Sequence, residues 1–252
     1  MDLELKGKVA IVTGASRGIG RAIALAFAAE GCNVAFCARG EDGLRETEKE
    51  LQDSGVRALG VVADVTQAGA IESFVEQAAA QLGRVDVLVN NVGGSVRGDT
   101  EDAFRGALEL NLIAAVRATN AALPQMRAQG SGSIIHISSI FGREAGGSLT
   151  YNAVKAAMIS HAKNLALQLA PEGIRVNSIA PGSVQHPGGS WDRRVQEDPE
   201  GMARFVAQNI PSGRFGTAEE IASAVVFLAS PRASWITGAC LNVDGGQSRS
   251  NI

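Results

Sequence analysis

Short apolar runs alternate with longer stretches of mixed apolar and polar residues along most of the chain. The short runs predict strands at Val9–Thr13, Asn33–Ala38, Ala58–Ala63, Val85–Asn90, Ser133–Ser138, Arg175–Ile179 and Cys240–Val243. The longer stretches predict helices at Ile19–Glu30, Asp42–Gln52, Ala68–Leu82, Glu101–Arg127, Thr150–Leu169 and Ala218–Ala229. This alternation predicts an α/β protein whose parallel sheet carries helices on both faces.

The domain organisation follows from the same rhythm. No Pro/Ser-rich linker and no internal repeat divides the sequence, so residues 1–252 are predicted to form a single domain. Residues 187–215 interrupt the alternation, and they follow the end of a strand, where open α/β sheets bind ligands. We interpret this segment as a substrate lid, with a mobile surface connection as the alternative.

The composition is that of an ordinary globular protein, with 45% apolar and 19% charged residues. A net charge of −3 provides no basic field for nucleic acid or anionic membranes. No apolar run approaches the roughly 20 residues that span a bilayer, and no apolar signal core is present, so we expect a cytoplasmic protein. The three cysteines lack paired zinc-type spacing and the three histidines are far apart, so no metal site is expected.

A glycine-rich turn follows the first predicted strand, in the run Thr13-Gly14-Ala15-Ser16-Arg17-Gly18-Ile19-Gly20. Such a turn lets backbone N–H groups approach a diphosphate, and the N-terminus of the following helix favours its negative charge. The spacing differs from the common Gly-x-Gly-x-x-Gly fingerprint, and no Gly-Lys-Ser/Thr follows as in nucleotide-triphosphate loops. The turn predicts a dinucleotide site, with a tight structural connection as the plainer alternative.

The end of the second strand indicates which dinucleotide is bound. NAD sites usually offer an acid here to the ribose 2′-hydroxyl, whereas this chain has Ala38 followed by Arg39. Together with Arg17 in the glycine-rich turn, Arg39 suits a 2′-phosphate. We expect NADP(H) to be preferred over NAD(H); two solvated surface arginines are the alternative.

The only tyrosine, Tyr151, stands four residues before Lys155, which places both on one face of a helix. A nearby positive charge favours the phenolate. At ~5 Å and an effective dielectric of ~20, the charge contributes roughly 3 kcal/mol, or about two pKa units. The pair is expected to act as an acid–base unit with a lowered tyrosine pKa, although this spacing alone also arises by chance.

Several short motifs together resemble the short-chain dehydrogenase/reductase family. In family order they are Thr13-Gly14-x-x-x-Gly18-Ile19-Gly20, Asp64-Val65, Asn90-Asn91-Val92-Gly93, Asn111, Ser138, Tyr151-x-x-x-Lys155 and Pro181-Gly182. The resemblance covers nearly the whole chain. It implies a single Rossmann-type, doubly wound parallel sheet of about seven strands, in the order 3-2-1-4-5-6-7.

The resemblance also implies a role for each matching residue. Tyr151 would be the general acid or base, Lys155 would lower its pKa and bind the nicotinamide ribose, and Asn111 would hold a relay water. Ser138 would bind the substrate oxygen, since its spacing of thirteen residues to Tyr151 favours it over the adjacent Ser139. The implied cofactor contacts are Gly14, Ser16, Arg17, Gly18, Ile19, Gly20, Arg39, Asp64, Val65, Asn91, Gly93, Tyr151, Lys155, Pro181, Gly182 and Val184.

Two positions depart from the family pattern. Val92 replaces the usual alanine beside the cofactor, and His186 replaces a threonine near the carboxamide and diphosphate. An imidazole can titrate near neutrality, but a turn histidine without a chemical role is an equal alternative. The candidate substrate contacts mix apolar and small polar groups, and they are Ser95, Ser138, Phe141, Ser148, His186, Trp191 and Phe205.

The resemblance implies hydride transfer between NADP(H) and a carbonyl or secondary alcohol. The glycine-rich turn and the length of the chain are closest to the 3-oxoacyl-thioester reductases, so reduction of a ketone or 3-oxoacyl group is expected. The alternatives are an NAD-dependent secondary-alcohol, sugar or sterol dehydrogenase, a non-catalytic NADP-binding regulator and a structural oligomer subunit.

The resemblance further implies a homotetramer, or a dimer, packed through the helices around Asn111 and Tyr151 and through the last helix and strand. Three arginines of the predicted lid, Arg193, Arg194 and Arg204, either receive an acidic acyl-carrier protein or form a solvated face.

Overall fold

Seven parallel strands form one sheet at the centre of the computed structural model, which describes residues 1–251. The strands are β1 (Val9–Thr13), β2 (Asn33–Ala38), β3 (Ala58–Val62), β4 (Val87–Asn90), β5 (Gly132–Ile137), β6 (Ile174–Pro181) and β7 (Cys240–Val243). Their order is β3-β2-β1-β4-β5-β6-β7, and every neighbouring pair is parallel. The expected α/β class and strand order are confirmed.

Helices cover both faces of this sheet. They are α1 (Gly18–Ala29), α2 (Asp42–Asp53), α3 (Ala70–Leu82), α4 (Glu101–Leu108), α5 (Ala114–Gln129), α6 (Leu149–Leu169), α7 (Ser190–Glu197), α8 (Pro199–Asn209) and α9 (Ala218–Ala229). One core cluster contains Phe27 of α1 and Val225 of α9, and the other contains Phe74 of α3 and Met126 of α5. The central strands are therefore buried on both sides, which explains their unbroken apolar sequence.

The predicted helix from Glu101 to Arg127 is wrong in its middle. A π-helical turn at Glu109–Ile113 separates α4 from α5. Inside this turn, Asn111 Nδ2 donates to the carbonyl oxygen of Ala107 at 2.9 Å. A side-chain amide that bonds a carbonyl one turn back competes with the backbone ladder and accompanies the widened turn. Apolar periodicity alone does not reveal such an interruption.

The segment 187–215 is largely helical, which the sequence pattern does not predict. Its two helices, α7 and α8, meet at Asp198, whose carboxylate caps α8 by accepting the Gly201 N–H at 2.8 Å. Across the junction, Trp191 stacks on Phe205 with ring centroids 4.8 Å apart. The segment is thus a small packed unit in which an aromatic ring of α7 stacks on an aromatic ring of α8.

None of the helices within residues 1–251 combines the length and the apolar character that a membrane crossing needs. Over the same residues, no three His, Cys, Asp or Glu side chains form a group able to hold a metal ion.

A fully buried histidine lies in β5, beneath the carboxyl edge of the sheet. Asn90 Nδ2 lies 3.1 Å from His136 Nδ1, and His136 Nε2 lies 3.1 Å from Nδ1 of His161. The two imidazole rings stack with centroids 5.3 Å apart. Burial, with the positive charges of His161 and Lys155 adding to it, lowers the pKa of His136 to about 3.

This buried histidine makes folding stability depend on pH. An unfolded histidine titrates near 6.5, so below that pH the unfolded chain takes up a proton that folded His136 takes up only near pH 3. Its contribution to stability is complete above pH 6.5 and is lost as the pH falls, by about 2 kcal/mol at pH 5. Urea unfolding at pH 7.5 and 5.0 measures this, and His136→Phe should remove that part of the difference. An unchanged difference in the variant would contradict the prediction.

Candidate active site

A cavity of about 750 Å³ opens along the carboxyl edge of the sheet. It brings together most of the sequence-predicted residues, namely Gly14, Ser16, Arg17, Gly18, Ile19, Gly20, Arg39, Asp64, Val65, Asn91, Gly93, Ser95, Ser138, Tyr151, Lys155, Pro181, Gly182, Val184, His186 and Trp191. The cavity is also lined by residues that were not predicted, among them Ser139, Leu110 and Arg193. Parallel strands that end at one edge account for this gathering of distant residues.

The glycine-rich turn is held in place by the end of β4. Asn91 Nδ2 donates to the carbonyl oxygens of Thr13 and Gly14, at 2.9 and 3.0 Å. In return, the Thr13 hydroxyl accepts the backbone N–H groups of Asn91 and Val92, at 3.0 and 3.1 Å. The Asn91 amide group, predicted as a cofactor contact, therefore uses its N–H donor to fix the turn.

The start of α1 supplies free donors for an anion. The N-cap residue that precedes it, Arg17, makes no side-chain cap, so the first backbone N–H groups of the helix have no side-chain partner there. These N–H groups follow directly on the glycine-rich turn at Gly14–Gly20, and they carry the positive end of the helix dipole. The cradle therefore fits the diphosphate of a dinucleotide.

The adenosine side of the cavity carries the two predicted arginines. Arg17 and Arg39 are exposed and both line the cavity. The nearby carboxylate of Asp64 accepts the N–H and the hydroxyl of Thr66, at 3.0 and 2.8 Å. These bonds, with a smaller effect of the Arg39 charge, lower the pKa of Asp64. This end thus offers guanidinium groups beside an ionised, hydrogen-bonded carboxylate.

Helix α6 places the predicted acid–base pair. Tyr151 is half-buried and Lys155 is 3% exposed, with Lys155 Nζ 5.6 Å from the centroid of the tyrosine ring. The ammonium donates to the carbonyl oxygen of Ile137 at 3.0 Å and lies 3.5 Å from Met158 Sδ. Burial lowers the pKa of Lys155 to about 8. The lysine is therefore a desolvated cation with one backbone partner.

The pKa of Tyr151 moves in the direction opposite to the sequence-based expectation. Burial raises it, and a hydrogen bond from Ser139 lowers it by less. Lys155 does not lower it, because its own pKa of about 8 means that the lysine loses its charge before a phenol ionises, and the loss of water around the phenol dominates. The phenol is consequently held in its protonated form.

Two adjacent serines take different roles. Ser138 Oγ donates to the carbonyl oxygen of Lys155 at 2.8 Å, and the residue is 3% exposed. Ser139 has an extended backbone and is the side chain that hydrogen-bonds Tyr151. Consecutive side chains of an extended segment point in opposite directions, so only one of the two can face the phenol. The sequence spacing favoured Ser138 as the contact of the substrate oxygen, whereas Ser139 is the serine that interacts with the phenol.

Asn111 lies behind the cavity rather than in its lining. The residue is fully buried, and its amide binds the backbone of Gly94 through both atoms, each at 3.0 Å. A Cβ at Gly93 would lie 2.6 Å from Asn111 Oδ1 and 2.7 Å from Lys155 Nζ. A side chain at position 93 would therefore collide with both the asparagine and the lysine.

Three of the predicted substrate contacts do not line the cavity. Ser148 caps α6 by accepting the N–H of Tyr151 at 3.4 Å, and Phe141 packs against the loop at Gly146–Gly147. Phe205 instead stacks on Trp191, whose own ring does reach the cavity wall. Ser148 thus serves as a helix cap and Phe141 packs locally, so the positions of these two side chains do not support a contact with the substrate.

Comparison with known proteins decides the family. A family model described as enoyl-(acyl carrier protein) reductase matches residues 14–248. The chain is 40% identical to the 3-oxoacyl-(acyl-carrier-protein) reductase FabG of Salmonella typhimurium over 249 residues, which cover 97% of this chain and 98% of the relative. The chain belongs to the short-chain dehydrogenase/reductase family. A second relative, the short-chain reductase NovJ of Streptomyces niveus, is 39% identical over 95% of this chain and 93% of its own.

Solved structures of this family superpose closely. L-Sorbose reductase from Gluconobacter frateurii, complexed with NADPH and L-sorbose, has a TM-score of 0.93 at 35% identity and covers 99% of this chain and 100% of its own. A 7α-hydroxysteroid dehydrogenase, complexed with NADH and 7-oxo glycochenodeoxycholic acid, has a TM-score of 0.90 at 33% identity, with coverage of 99% and 98%.

This short-chain dehydrogenase/reductase is therefore an oxidoreductase that acts on a CH–OH or C=O group with a nicotinamide cofactor. The family agrees with the cradle described above, in which a glycine-rich turn and an uncapped helix N-terminus suit a diphosphate.

The buried Lys155 lowers the stability of the fold at neutral pH. Since its pKa falls from an ordinary value near 10.4 to about 8, the folded state binds the proton less tightly than the unfolded state. Below pH 8 the full cost applies, and the cost disappears as the pH rises above 10. We expect Lys155→Met to raise the free energy of unfolding at pH 7 by about 1–3 kcal/mol, and by less at pH 9.5.

Urea unfolding of the variant at the two pH values measures this effect. Lys163→Met, an exposed lysine of the same helix, is the matched control and should change stability by less than about 0.5 kcal/mol. A Lys155→Met variant that is less stable than the native chain at pH 7 would contradict the desolvation argument.

Proposed function

We propose that this protein is an NADPH-dependent carbonyl reductase, with a ketone or a 3-oxoacyl thioester as its substrate. The observation that carries the proposal is the cluster at the start of α6, where Tyr151, Ser139 and Lys155 face the cavity beside the glycine-rich turn. The 40% identity to a 3-oxoacyl-(acyl-carrier-protein) reductase over almost the full chain supports the thioester as substrate class.

In this proposal the nicotinamide supplies the hydride, and the protein supplies orientation, charge and a proton. Ser139 and Tyr151 donate hydrogen bonds to the carbonyl oxygen of the substrate, where negative charge develops. Tyr151 then gives up its proton to that oxygen. The ammonium of Lys155, which is buried beside the ring, stabilises the phenolate that remains.

The protonated phenol is the form that reduction of a carbonyl requires. Reduction needs a proton donor at the carbonyl oxygen, and burial keeps Tyr151 protonated by raising its pKa. Oxidation of an alcohol would instead need the phenolate as base, which burial disfavours. After each reduction the tyrosine must be reprotonated, and we propose a route past Lys155 and a water held near Asn111, both of which lie close to Gly93.

We propose that the chain is one domain in which α7 and α8, residues 187–215, act as a lid over the substrate. Trp191 lines the cavity from this segment and is backed by Phe205. Of the arginines considered for an acyl-carrier protein, Arg193 lines the cavity, while Arg194 lies 4.9 Å from the Trp191 ring centroid. We therefore propose an acyl-carrier protein or coenzyme thioester as carrier, reached past Arg193.

A second candidate function is the reduction or oxidation of a sugar or a sterol. It is favoured by the solved structures that superpose on this chain, which hold L-sorbose and a 7-oxo bile acid. Assays of NADPH consumption with a 3-oxoacyl thioester, L-sorbose and a 7-oxosteroid separate the candidates by their kcat/KM values. We expect the thioester to give the highest value.

We propose that the protein assembles as a homotetramer, as the family resemblance implies. Trp235 is 96% exposed, Leu241 on the edge strand β7 is 40% exposed and Leu167 on α6 is 68% exposed. Large apolar side chains exposed near a sheet edge suit burial against a second copy. We also propose a cytoplasmic location, which the similarity to the 3-oxoacyl-(acyl-carrier-protein) reductases supports.

Replacing Tyr151 by phenylalanine tests the proton donor. The change removes only the hydroxyl, so we expect turnover of the 3-oxoacyl thioester to fall by about 10²–10⁴-fold. The dissociation constant of NADPH, measured by fluorescence, should stay within about threefold, since the cofactor cradle is built elsewhere. Activity within tenfold of the native value would refute the assignment.

The two serines form a matched pair for a second test. Ser139→Ala removes the donor beside Tyr151, and we expect kcat to fall by about 10²–10³-fold. Ser138→Ala removes only the bond to the Lys155 carbonyl, and we expect it to cost about 1 kcal/mol of stability while kcat changes less than about fivefold. The reverse ranking of the two kcat values would restore Ser138 to the role implied by spacing.

We propose NADP(H) as the preferred cofactor because Arg17 and Arg39 line the adenosine end of the cavity. We expect NADPH to bind at least about tenfold more tightly than NADH, as a charge-assisted phosphate contact allows. Arg39→Ala should remove most of this preference and leave the dissociation constant of NADH unchanged. Equal or tighter binding of NADH by the native chain would exclude the preference.

A further inference from the structure

Residues 244–249, hereafter the clasp, follow β7 and contact two walls of the cavity. One wall is the segment that ends β6 and continues beyond it, where Gly182 and Val184 line the cavity. The other wall runs from Ser139 to Tyr151, which also line the cavity. In the proposed function the first wall holds the cofactor and the second wall holds the proton donor.

The clasp binds the first wall through Gln247. Gln247 Oε1 accepts the backbone N–H of Ser183 at 2.8 Å. Ser183 is only 7% exposed, so this N–H group needs a partner within the protein. Packing is tight at this point, because a Cβ at Gly182 would lie 2.8 Å from Gln247 Oε1 and 2.8 Å from Asp244 Cβ. A shift of the glutamine therefore acts directly on the wall that Gly182 belongs to.

The clasp binds the second wall through Glu144. Glu144 Oε2 accepts the hydroxyl of Ser248 at 3.1 Å and the backbone N–H of Arg249 at 2.9 Å. The carbonyl oxygen of Glu144 accepts the side-chain amide of Asn152 at 2.7 Å, and Asn152 is the residue next to Tyr151. One residue thus connects the clasp to the helix turn that carries the phenol.

The clasp is braced by its own first residue. Asp244 accepts the N–H of Gly246 at Oδ1 and the N–H of Ser248 at Oδ2, at 3.0 and 2.8 Å. Gln247 and Ser248 are consecutive, so a single peptide unit separates the contact with one wall from the contact with the other. A braced link this short leaves little slack between the two walls.

We infer that Glu144 and Gln247 are positioning residues, which set the distance between the bound cofactor and Tyr151 by holding the two walls together through the clasp. The inference rests on the proposed function, in which a hydride and a proton reach one carbonyl group from the two walls. Such a reaction is sensitive to geometry, since a misplacement of about 1 Å can cost roughly 10²-fold in rate. Neither residue lines the cavity, so both act through the walls that they bind.

Single and double variants test the inference in assays with NADPH and the substrate that gives the native chain its highest kcat/KM. We expect Glu144→Ala and Gln247→Ala each to lower kcat by about tenfold, since each opens one end of the clasp. The double variant should also lose about tenfold rather than a hundredfold, because a clasp opened at one end no longer holds the other wall. The dissociation constant of NADPH should stay within about threefold in all of them, as expected for residues that act on the chemical step.

Two further variants are matched controls. Glu144→Gln keeps an oxygen acceptor for the clasp, so its kcat should stay within about twofold of the native value. Arg249→Ala removes an exposed side chain but keeps the backbone N–H that Glu144 binds, so its kcat should also stay within about twofold.

Hydrogen exchange of the chain without cofactor measures the link between the walls independently of activity. Ser183 is the reporter, because its amide lies on the wall that Glu144 does not touch directly. We expect Glu144→Ala to speed exchange of this amide by about tenfold or more, and Arg249→Ala to leave it unchanged.

Several results would overturn the inference and leave the reductase proposal standing. They are kcat values of both single variants within twofold of the native value, additive losses in the double variant, and faster exchange in Glu144→Ala that is confined to residues 248–249. A native chain that reduces no carbonyl substrate would exclude the proposed function, and the exchange rates alone would then decide whether Glu144 and Gln247 hold the two walls together.

Discussion

The ammonium of Lys155 is almost completely removed from water, and the arrangement of the site follows from how the protein accommodates it. A buried cation is costly unless it is bonded, and this one has the carbonyl oxygen of Ile137 at the end of β5. The backbone carbonyl of Lys155 accepts a hydrogen bond from the Ser138 hydroxyl. The glycine at position 93 leaves space for the ammonium and for Asn111. Lys155 therefore bonds the end of β5 and lies close to Gly93, the residue after β4 that also packs against Asn111 of the π-helical turn.

This arrangement stores free energy that the fold must supply. Burial lowers the pKa of Lys155 and raises that of Tyr151, so each group is destabilised in its charged form. A carbonyl oxygen that becomes negative would find the hydroxyls of Tyr151 and Ser139 already oriented, which is the condition for electrostatic stabilisation without reorganisation. The sheet provides the rigidity, because apolar strands buried on both sides hold their carboxyl ends in fixed register.

Some of these structural features can be predicted from the amino-acid sequence and others cannot. The alternation of strands and helices, the glycine-rich turn and the pair Tyr151–Lys155 depend on local pattern and spacing, and they could be predicted. The strand order was implied by the family resemblance. The choice between Ser138 and Ser139 depends on which side of an extended segment each hydroxyl faces, and counting residues does not show this. The place of His186 follows from the path of the chain after β6, which brings the ring back against Gly18 across the fold.

A crystal structure of the protein with NADP⁺ and the alcohol product tests the central claim most directly, since it locates the reacting oxygen. We expect this oxygen to lie within hydrogen-bond distance, about 2.5–3.2 Å, of both the Tyr151 hydroxyl and Ser139 Oγ, with Ser138 Oγ still bonded to the Lys155 carbonyl. An oxygen bound by Ser138 instead, or one that lies away from Tyr151, would contradict this expectation.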